Sequence, residues 1–145
     1  MKRLYFPYEL EDIYWLRTLP QNERDFVSDL LASNPSEKKV SETIQFWFSN
    51  ITTLNINTIR NEEFYMKVKK ELFMFLCGDP KYDLERKRIK FINETLNWEF
   101  LLVSFISAAL GSQLGITEHF IAPVVVIIFI MISKISINAW CEMKE

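Results

Sequence analysis

Apolar residues recur at intervals of three and four through the first 97 residues, and turn-forming residues separate the runs. This spacing is typical of amphipathic α-helices. The clearest stripe joins positions spaced by four, three, one and three, which all fall on one helical face: Val40, Ile44, Trp47, Phe48 and Ile51. We therefore predict an all-α fold in which this stripe belongs to the core.

Prolines and small polar residues mark the ends of the first helices. Pro7 opens a short helix that should stop by Pro20, because a proline disfavours helical geometry in the residue before it. A second helix begins there and ends at residues 33–35. Residues 52–58 alternate apolar and polar positions over a short distance, and we interpret them as an irregular connection.

Two further helices are expected before the chain becomes apolar. One is capped by Asn61 and ends near Cys77, because Gly78 suits the left-handed position that follows a helix. The other is capped by Asp83 and is expected to continue without a break into the apolar half of the chain. A continuous helix of this kind would transmit a rotation or tilt from one half of the protein to the other.

The pattern changes in the last third of the chain, where polar positions almost disappear. No residue in the range 100–117 is charged, and Lys134 is the only charged residue in the range 120–141. Both runs approach the roughly 20 residues that cross a hydrocarbon core of about 30 Å. We predict two membrane-spanning helices, residues 99–116 and 120–140, that form an antiparallel hairpin. The chain then divides into a helical domain, 1–97, and a hairpin, 98–141.

The alternative is a helical hairpin buried inside a water-soluble protein. The second run contains APVVVIIFIMIS, residues 122–133, which is apolar on every helical face. Such a helix needs protein on all sides, and the roughly 95 remaining residues are too few to provide that cover. The size of the chain therefore favours the membrane hairpin.

Basic residues predict the orientation of the hairpin. Lys and Arg are frequent before the first run, Lys144 follows the second, and residues 117–119 between them contain neither. Both termini are therefore expected in the cytoplasm. Trp98 and Trp140 lie near the cytoplasmic ends, where indole rings anchor helices at the membrane interface. Lys134 either extends its side chain to the cytoplasmic surface or faces a pore.

Residues suited to catalysis are scarce. The only histidine, His119, lies in the turn between the two runs, away from any cluster with metal-ligand spacing. The three glycines form no phosphate-binding loop, and no hydrolase or zinc-protease motif occurs. We expect no enzyme activity, no metal and no cofactor. Cys77 and Cys141 are far apart, and a cytoplasmic setting predicts that both remain free thiols.

Small residues follow one face of the first apolar run. Two series are each spaced by four: Ser104, Ala108 and Ser112, and Ser107, Gly111 and Gly115. In a bilayer, helices associate through close backbone packing and side-chain hydrogen bonds, both of which require small residues. The series predict a helix contact, either within one hairpin or between protomers. In a ring of protomers, Ser104 and Ser107 would instead line a narrow polar path.

Positive charge is concentrated just before the hairpin. Residues 60–90 include nine basic and six acidic side chains, whereas residues 1–37 include four basic and seven acidic ones. The cluster at 86–90 suits anionic headgroups, or it forms a solvated helix face. A mixture of lysines, arginines and aromatic rings also suits phosphates and stacked bases. Five side chains are candidates for such a nucleotide site: Arg60, Tyr65, Lys67, Lys70 and Arg86.

Three segments, LCGDPKY (76–82), LGSQLGI (110–116) and IAPVVVIIFIMISKISINAWCE (121–142), resemble the membrane half of small two-helix effectors from bacterial anti-phage defence operons. The channel subunit of Hailong-type systems is an example. The resemblance covers roughly the last 70 residues. It implies an inner-membrane channel that stays closed while its cytosolic domain binds a nucleic-acid messenger from a partner nucleotidyltransferase. No ligand residue is transferred from that family.

The sequence thus predicts a membrane effector that opens a pore. Two helices cannot enclose a water path, so conduction requires several copies, and we expect a homo-oligomer of four or more protomers. The expected regulatory ligand is a short single-stranded DNA oligomer or another nucleotide messenger. The alternatives are a non-conducting membrane-anchored adaptor, and a holin or immunity protein that needs no ligand.

Overall fold

The computed structural model of the protein describes residues 11–51, 63–89, 97–133 and 135–144. Eight α-helices lie in these ranges: α1 (Asp12–Leu16), α2 (Gln21–Ala32), α3 (Glu37–Ile51), α4 (Glu63–Cys77), α5 (Asp83–Ile89), α6 (Trp98–Leu114), α7 (Glu118–Ile132) and α8 (Ile137–Lys144). A 3₁₀ turn at Pro80–Tyr82 precedes α5. No strand occurs in the described ranges, and the predicted all-α class is confirmed.

Several predicted helix ends are also confirmed. The first helix stops before Pro20, and α2 covers the residues predicted for the second helix. Gly78 follows the last residue of α4 and has a φ of 96°, a conformation that costs glycine little. Three predicted features lie outside the described residues: the start of the first helix at Pro7, the cap at Asn61 and the connection at 52–58.

The apolar helix α7 lies at the centre of the bundle. Ten of its 15 residues are buried, and α1, α2, α4 and α6 pack against it. The inference that the remaining residues are too few to surround this helix is therefore wrong. Because α7 has 15 residues instead of the roughly 20 of a membrane span, short amphipathic helices can cover it from several sides.

Aromatic side chains join these covering helices to the hairpin. The ring of Trp15 on α1 lies 4.8 Å from that of Phe129 on α7 and 5.8 Å from that of Trp98 on α6. On α3, the ring of Phe48 lies 5.9 Å from that of Phe120 at the start of α7. Buried aromatic pairs contribute about 0.5–1.5 kcal/mol beyond their area. The amphipathic stripe of α3 therefore faces the apolar hairpin, as part of one continuous core.

The second apolar run is two helices instead of the single span predicted for 120–140. α7 ends at Ile132 and α8 begins at Ile137. Between them, Ser136 has a φ of 121°, and its hydroxyl oxygen accepts a hydrogen bond of 3.1 Å from the backbone N–H of Ala139. A serine in this position caps the following helix and separates it from the preceding one.

The helix before the hairpin is interrupted. Asn97 has a φ of 60°, in the left-handed region, and α6 begins at the next residue. Asparagine adopts this conformation more readily than most residues, so the chain changes direction here. The predicted continuous helix from Asp83 into the hairpin is therefore wrong, and α5 does not act as a rigid shaft on α6.

Two glycines of the small-residue series form the turn of the hairpin. The N–H groups of Gly115 and Ile116 donate to the carbonyl of Gly111 at 2.8 and 3.1 Å. A Cβ at position 111 would lie 2.4 Å from the carbonyl oxygen of Ile116, and Gly115 has a φ of 72°. In the described bundle, both glycines therefore serve a contact within one hairpin.

The hairpin is oblique and short. The chain bends by 119° between α6 and α7, so the predicted antiparallel arrangement is wrong for this bundle. Such oblique crossings are common in globular helix packing. No single described helix is both long and apolar enough to cross a bilayer, and only the bent pair of α6 and α7, taken together, meets both criteria.

A disulfide joins Cys77, at the end of α4, to Cys141 in α8, with 5.7 Å between the Cα atoms. The prediction of free thiols is therefore wrong. The two cysteines are 64 residues apart, and only the return of α8 onto α4 brings them together. The loop that the disulfide closes contains the whole hairpin. Constraints of this kind typically contribute about 2–4 kcal/mol to stability.

We predict that Gly111→Ala destabilises the protein by about 1–3 kcal/mol, because the new methyl group overlaps the Ile116 carbonyl oxygen. At an unhindered position inside a helix, replacing glycine by alanine stabilises the helix by about 1 kcal/mol. A loss of stability would therefore indicate the steric overlap. Ser112→Ala, at the exposed neighbouring position, is the control and should change little. Urea denaturation measures both free energies of unfolding. Equal or greater stability of Gly111→Ala would contradict the tight turn.

Candidate functional site

A cavity of about 390 Å³ lies between α4 and the turn of the hairpin, and we call it the turn pocket. It combines basic side chains of α4 with the C-terminal end of α6. Its lining residues are Lys67, Lys70, Glu71, Gln113, Leu114, Gly115 and Ile116. The volume is within the range of cavities that bind small molecules.

The position of the two lysines follows from the helical pattern of α4. Val68 and Leu72 are buried and face the core, whereas Lys67 and Lys70 are exposed. Residues three apart on a helix share a face, so both ammonium groups are directed to the same side of α4. The turn of the hairpin lies on that side. The pocket thus joins two elements that the sequence separates by more than 40 positions.

The turn pocket favours anions. The carboxylate of Glu71 is already engaged, since it accepts hydrogen bonds from Lys81 Nζ at 2.9 Å and from the Tyr82 hydroxyl at 2.5 Å. Lys70 forms no ion pair within the described ranges. The C-terminal end of α6 contributes about half a negative charge, which only partly offsets the ammonium group of Lys70. A phosphate or carboxylate is therefore the group that this pocket suits best.

A second cavity, of about 400 Å³, lies on the other side of Lys70, and we call it the α4 groove. Its walls are mostly apolar side chains: Met66, Phe73 and Met74 line it together with Lys69, Lys70 and Asp79. Because Lys70 lines both cavities, a ligand with a charged and an apolar part can occupy both. Flexible methionines and a phenylalanine provide surfaces on which a planar ring can pack.

Tyr65, predicted as a ligand residue, is fully buried. Burial is the main cause that raises its pKa above the ordinary value, and the nearby Glu37 carboxylate adds to the effect. Lys69 forms an ion pair with the same carboxylate and is also buried. These three residues connect α4 to the beginning of α3. Tyr65 is therefore part of the packing and does not line either cavity.

Arg86, also predicted as a ligand residue, instead caps α4. Its side chain is 7% exposed, and its guanidinium donates to the carbonyls of Met74, Phe75 and Asp79 at 3.2, 2.8 and 2.6 Å, and to the Asp83 carboxylate. Those carbonyls lie at the end of α4 or just after it, where the helix provides few donors; those of Met74 and Asp79 also accept the backbone N–H groups of Asp79 and Tyr82. The assignment of Arg86 to ligand binding is therefore wrong in this structure. Arg60 lies outside the described residues.

Tyr82 reinforces the same corner of the fold. It is buried, and its hydroxyl donates to Glu71. Burial is the main cause that raises the pKa of Tyr82, and the hydrogen bond to the Glu71 carboxylate acts in the same direction. The phenol therefore remains protonated and keeps Glu71 in place beside the turn pocket. Nothing in the local sequence pattern indicated this contact, because the two residues belong to different elements.

The small residues of α6 divide between two faces. Ser107 and Gly111 are buried, whereas Ala108 is exposed and Ser104 is half-buried. Exposed apolar side chains accompany the second group, and we call this the outer face of α6: Phe100, Leu101, Ser104, Ala108 and Ser112. The first group thus serves packing within the bundle, and the second remains available on the surface.

The predicted interfacial tryptophans pack against protein in this bundle. Trp98 is half-buried and its ring meets that of Trp15. Trp140 is buried, and its ring lies 5.6 Å from that of Phe73 on α4. Lys134 lies outside the described residues.

The environment of His119 is polar and solvated. The histidine is exposed at the start of α7, close to Glu23 on α2. Burial raises the pKa of Glu23, and the nearby His119 lowers it. Within the described residues, no three histidine, cysteine or carboxylate side chains are arranged to hold a metal ion.

A comparison of the chain with protein-family models, with curated proteins and with solved structures found no match. The site is therefore interpreted from its own residues. The turn pocket is lined by Lys67 and Lys70, two of the five candidate ligand residues, and by Gln113 and Glu71, which the sequence did not indicate. The one feature of the sequence that could have indicated Gln113 is its position, as a polar residue near the end of an apolar run.

We predict that Arg86→Met lowers the free energy of unfolding by about 1–3 kcal/mol, because the Phe75 carbonyl loses its donor and the carbonyls of Met74 and Asp79 keep only a backbone N–H each. Arg88→Met is the matched control, since Arg88 is exposed on the same helix and should change stability by less than about 0.5 kcal/mol. Urea denaturation measures both variants. Similar stabilities would show that Arg86 has no capping role.

Proposed function

We propose that this protein is a membrane effector that keeps an apolar hairpin inside a helical bundle and, when the hairpin is released, forms a pore in the bacterial inner membrane. The pore is a homo-oligomer of four or more protomers, with both termini of each protomer in the cytoplasm. The protein acts by permeabilising the membrane and has no enzymatic role. An anionic ligand in the turn pocket controls the release.

The composition and burial of α7 carry this proposal. Every face of α7 is apolar, and the bundle covers ten of its 15 residues. A helix of this kind has no surface that water solvates well, so it requires either protein or lipid around it. If the covering helices separate from α7, a bilayer is the environment that replaces them. The hairpin is thus suited to two surroundings.

The outer face of α6 adds support for a lipid-exposed state. Phe100 is 51% exposed and Leu101 is 42% exposed in the bundle. Two adjacent large apolar side chains on the surface favour contact with lipid or with another protein. At this end of α6, Arg17 Nη2 lies 3.3 Å from a carboxylate oxygen of Glu99. Arg17 is half exposed, whereas Glu99 is buried and keeps this partner only in the bundle.

In the inserted state, α7 and α8 join into one longer helix. α6 has 17 residues, which span about 25 Å at 1.5 Å per residue and fall slightly short of a hydrocarbon core. Loss of the break at Ser136 extends the second helix to the predicted 120–140. Trp98 and Trp140 then anchor the interface, and Lys134 reaches the cytoplasmic surface. Ser104 and Ala108 provide small residues for contacts between protomers.

The turn pocket provides a physical basis for control. A ligand that bridges the lysines of α4 and Gln113 binds the sheltered bundle, because only there do these residues lie together. Such a ligand stabilises the sheltered bundle to the extent that it binds the bundle more tightly than it binds the inserted state. A nucleotide fits this role, with its phosphate at Lys67 and Lys70 and its base in the α4 groove. Removal of the ligand then favours insertion.

The proposed biological setting rests on the resemblance to effectors of anti-phage defence operons. In that setting, a partner nucleotidyltransferase supplies the nucleotide, and infection removes it. Depolarisation of the cell would then stop phage replication. The resemblance is confined to residues 76–142, so it covers the hairpin and the α6 side of the turn pocket but not the lysines of α4.

A second candidate is an adaptor that remains folded as the bundle and recruits a partner. The oblique crossing of α6 and α7 favours it, because this geometry is typical of globular packing. In that case the covering helices never separate from α7. The outer face of α6 would then contact the partner.

We predict that the purified full-length protein releases a trapped dye from vesicles of phosphatidylethanolamine and phosphatidylglycerol. Ala108→Lys should abolish most of this release, because Ala108 is exposed in the bundle but lies at the middle of the proposed span, where a charge costs about 2.5–3.5 kcal/mol. Leu84→Lys is the control, since it adds the same charge on α5, outside the hairpin, at a side chain that is 57% exposed. Absence of release from the unmodified protein, with and without nucleotide, would exclude the pore and favour the adaptor.

We predict that the full-length protein binds a fluorescein-labelled short oligothymidylate, with an affinity that falls as salt rises. Lys70→Glu and Lys67→Glu should each weaken binding about tenfold, which corresponds to 1.4 kcal/mol. Lys87→Glu, at an exposed position on α5 away from the pocket, is the control. Fluorescence anisotropy measures the three affinities. Equal weakening by Lys87→Glu would indicate nonspecific charge attraction and would exclude the turn pocket as the site.

A further inference from the structure

The disulfide between Cys77 and Cys141 holds the last helix of the chain. α8 has eight residues, and isolated helices of that length are not stable in water. Its buried side chains are Ile137, Trp140 and Cys141. The ring of Trp140 contacts that of Phe73 on α4. The disulfide is thus the one covalent link between α8 and α4 in a contact that otherwise consists of non-covalent packing.

We propose that this disulfide is a thiol–disulfide exchange site that acts as a redox latch on α8. In the oxidised form the bond holds α8 against α4. A dithiol reductant of the thioredoxin class breaks the bond, and α8 then separates from α4. The proposed latch concerns only the separation of α8 from α4 and does not depend on membrane insertion.

The chemistry of the step is ordinary thiol–disulfide exchange. A thiolate of the reductant attacks one sulfur of the pair and expels the other as a thiolate, which takes up a proton. The second thiol of the reductant then attacks the mixed disulfide and releases the remaining cysteine. Two electrons and two protons are transferred to Cys77 and Cys141, and the reductant leaves with its own disulfide.

Access to the sulfur atoms depends on local opening. Cys141 is fully buried and Cys77 is 4% exposed, so a reductant reaches the bond only when α8 moves. The opposite face of α8 carries exposed residues, including Glu142 and Met143. A short helix with one buried face opens locally more readily than the central helices do. Reduction then traps the open form, because the covalent constraint is lost.

Release of α8 has two structural consequences. The contact between Trp140 and Phe73 is lost, and Phe73 is one of the residues that line the α4 groove. The segment after α7 is also freed from α4, and this allows α7 and α8 to join in one helix. The second consequence rests on the proposed function, and the first does not.

The test compares hydrogen–deuterium exchange in the oxidised and dithiothreitol-reduced full-length protein. We expect exchange in residues 137–144 to become at least tenfold faster after reduction, while exchange in residues 121–132 stays unchanged. The double variant Cys77→Ser/Cys141→Ser should match the reduced protein with or without dithiothreitol. Equal protection of α8 in both redox forms would overturn the proposal. If all helices lose protection together, the bond is a structural staple, which would also overturn it.

A vesicle-release assay on the same two forms separates the latch from the pore. Faster exchange in α8 without dye release in either form would support the latch and reject the pore. Dye release that is equal in both forms, together with unchanged exchange in α8, would support the pore and reject the latch. Incubation with glutathione at a cytosolic ratio provides a further check. A latch is reduced under this condition, whereas a structural disulfide resists it.

Discussion

The all-round apolar surface of α7 is the constraint on which the remaining structure depends. A helix with one apolar stripe needs a single partner, but α7 needs cover on every side. The protein provides it with α1, α2, α4 and α6, each of which buries apolar side chains in the core around α7. Each covering helix therefore has its position fixed by contact with α7. Lys67 and Lys70 on α4 are exposed as a consequence.

The same arrangement explains where polar interactions are used. α4 packs against both α7 and α8, so its C-terminal end is enclosed and its last carbonyls require donors. Arg86 provides them, and the disulfide at Cys77 fixes α8 on the same end. The other side of α4 faces the turn of the hairpin, where the chain leaves a cavity. The turn pocket is therefore a consequence of packing a basic helix across the end of an apolar hairpin.

The sequence pattern predicted those features that depend on interactions between residues close together in the chain. Helix type and several ends were predictable because periodicity, prolines and Gly78 act over a few residues. Features that depend on contacts between distant elements were not. Arg86 resembled its exposed neighbours, and only the return of the chain over α4 shows that it caps a helix. The pairing of Cys77 with Cys141 required the position of α8. The length of α7 was overestimated because the break at Ser136 depends on a backbone conformation that serine adopts rarely.

In the proposed function, the balance between the sheltered bundle and the membrane-inserted state is decided by terms other than the apolar surface of α7. Lipid tails and a protein core are similarly apolar, so moving α7 between them changes its own burial energy little. The outer face of α6 favours lipid, because Phe100 and Leu101 meet water in the bundle. The aromatic contacts of Trp15, the disulfide and any ligand in the turn pocket favour the bundle. The disulfide and the ligand can both be removed without changing the sequence. Control of this protein is therefore expected to act through them, because a covalent bond and a bound anion are the terms that a cell can alter.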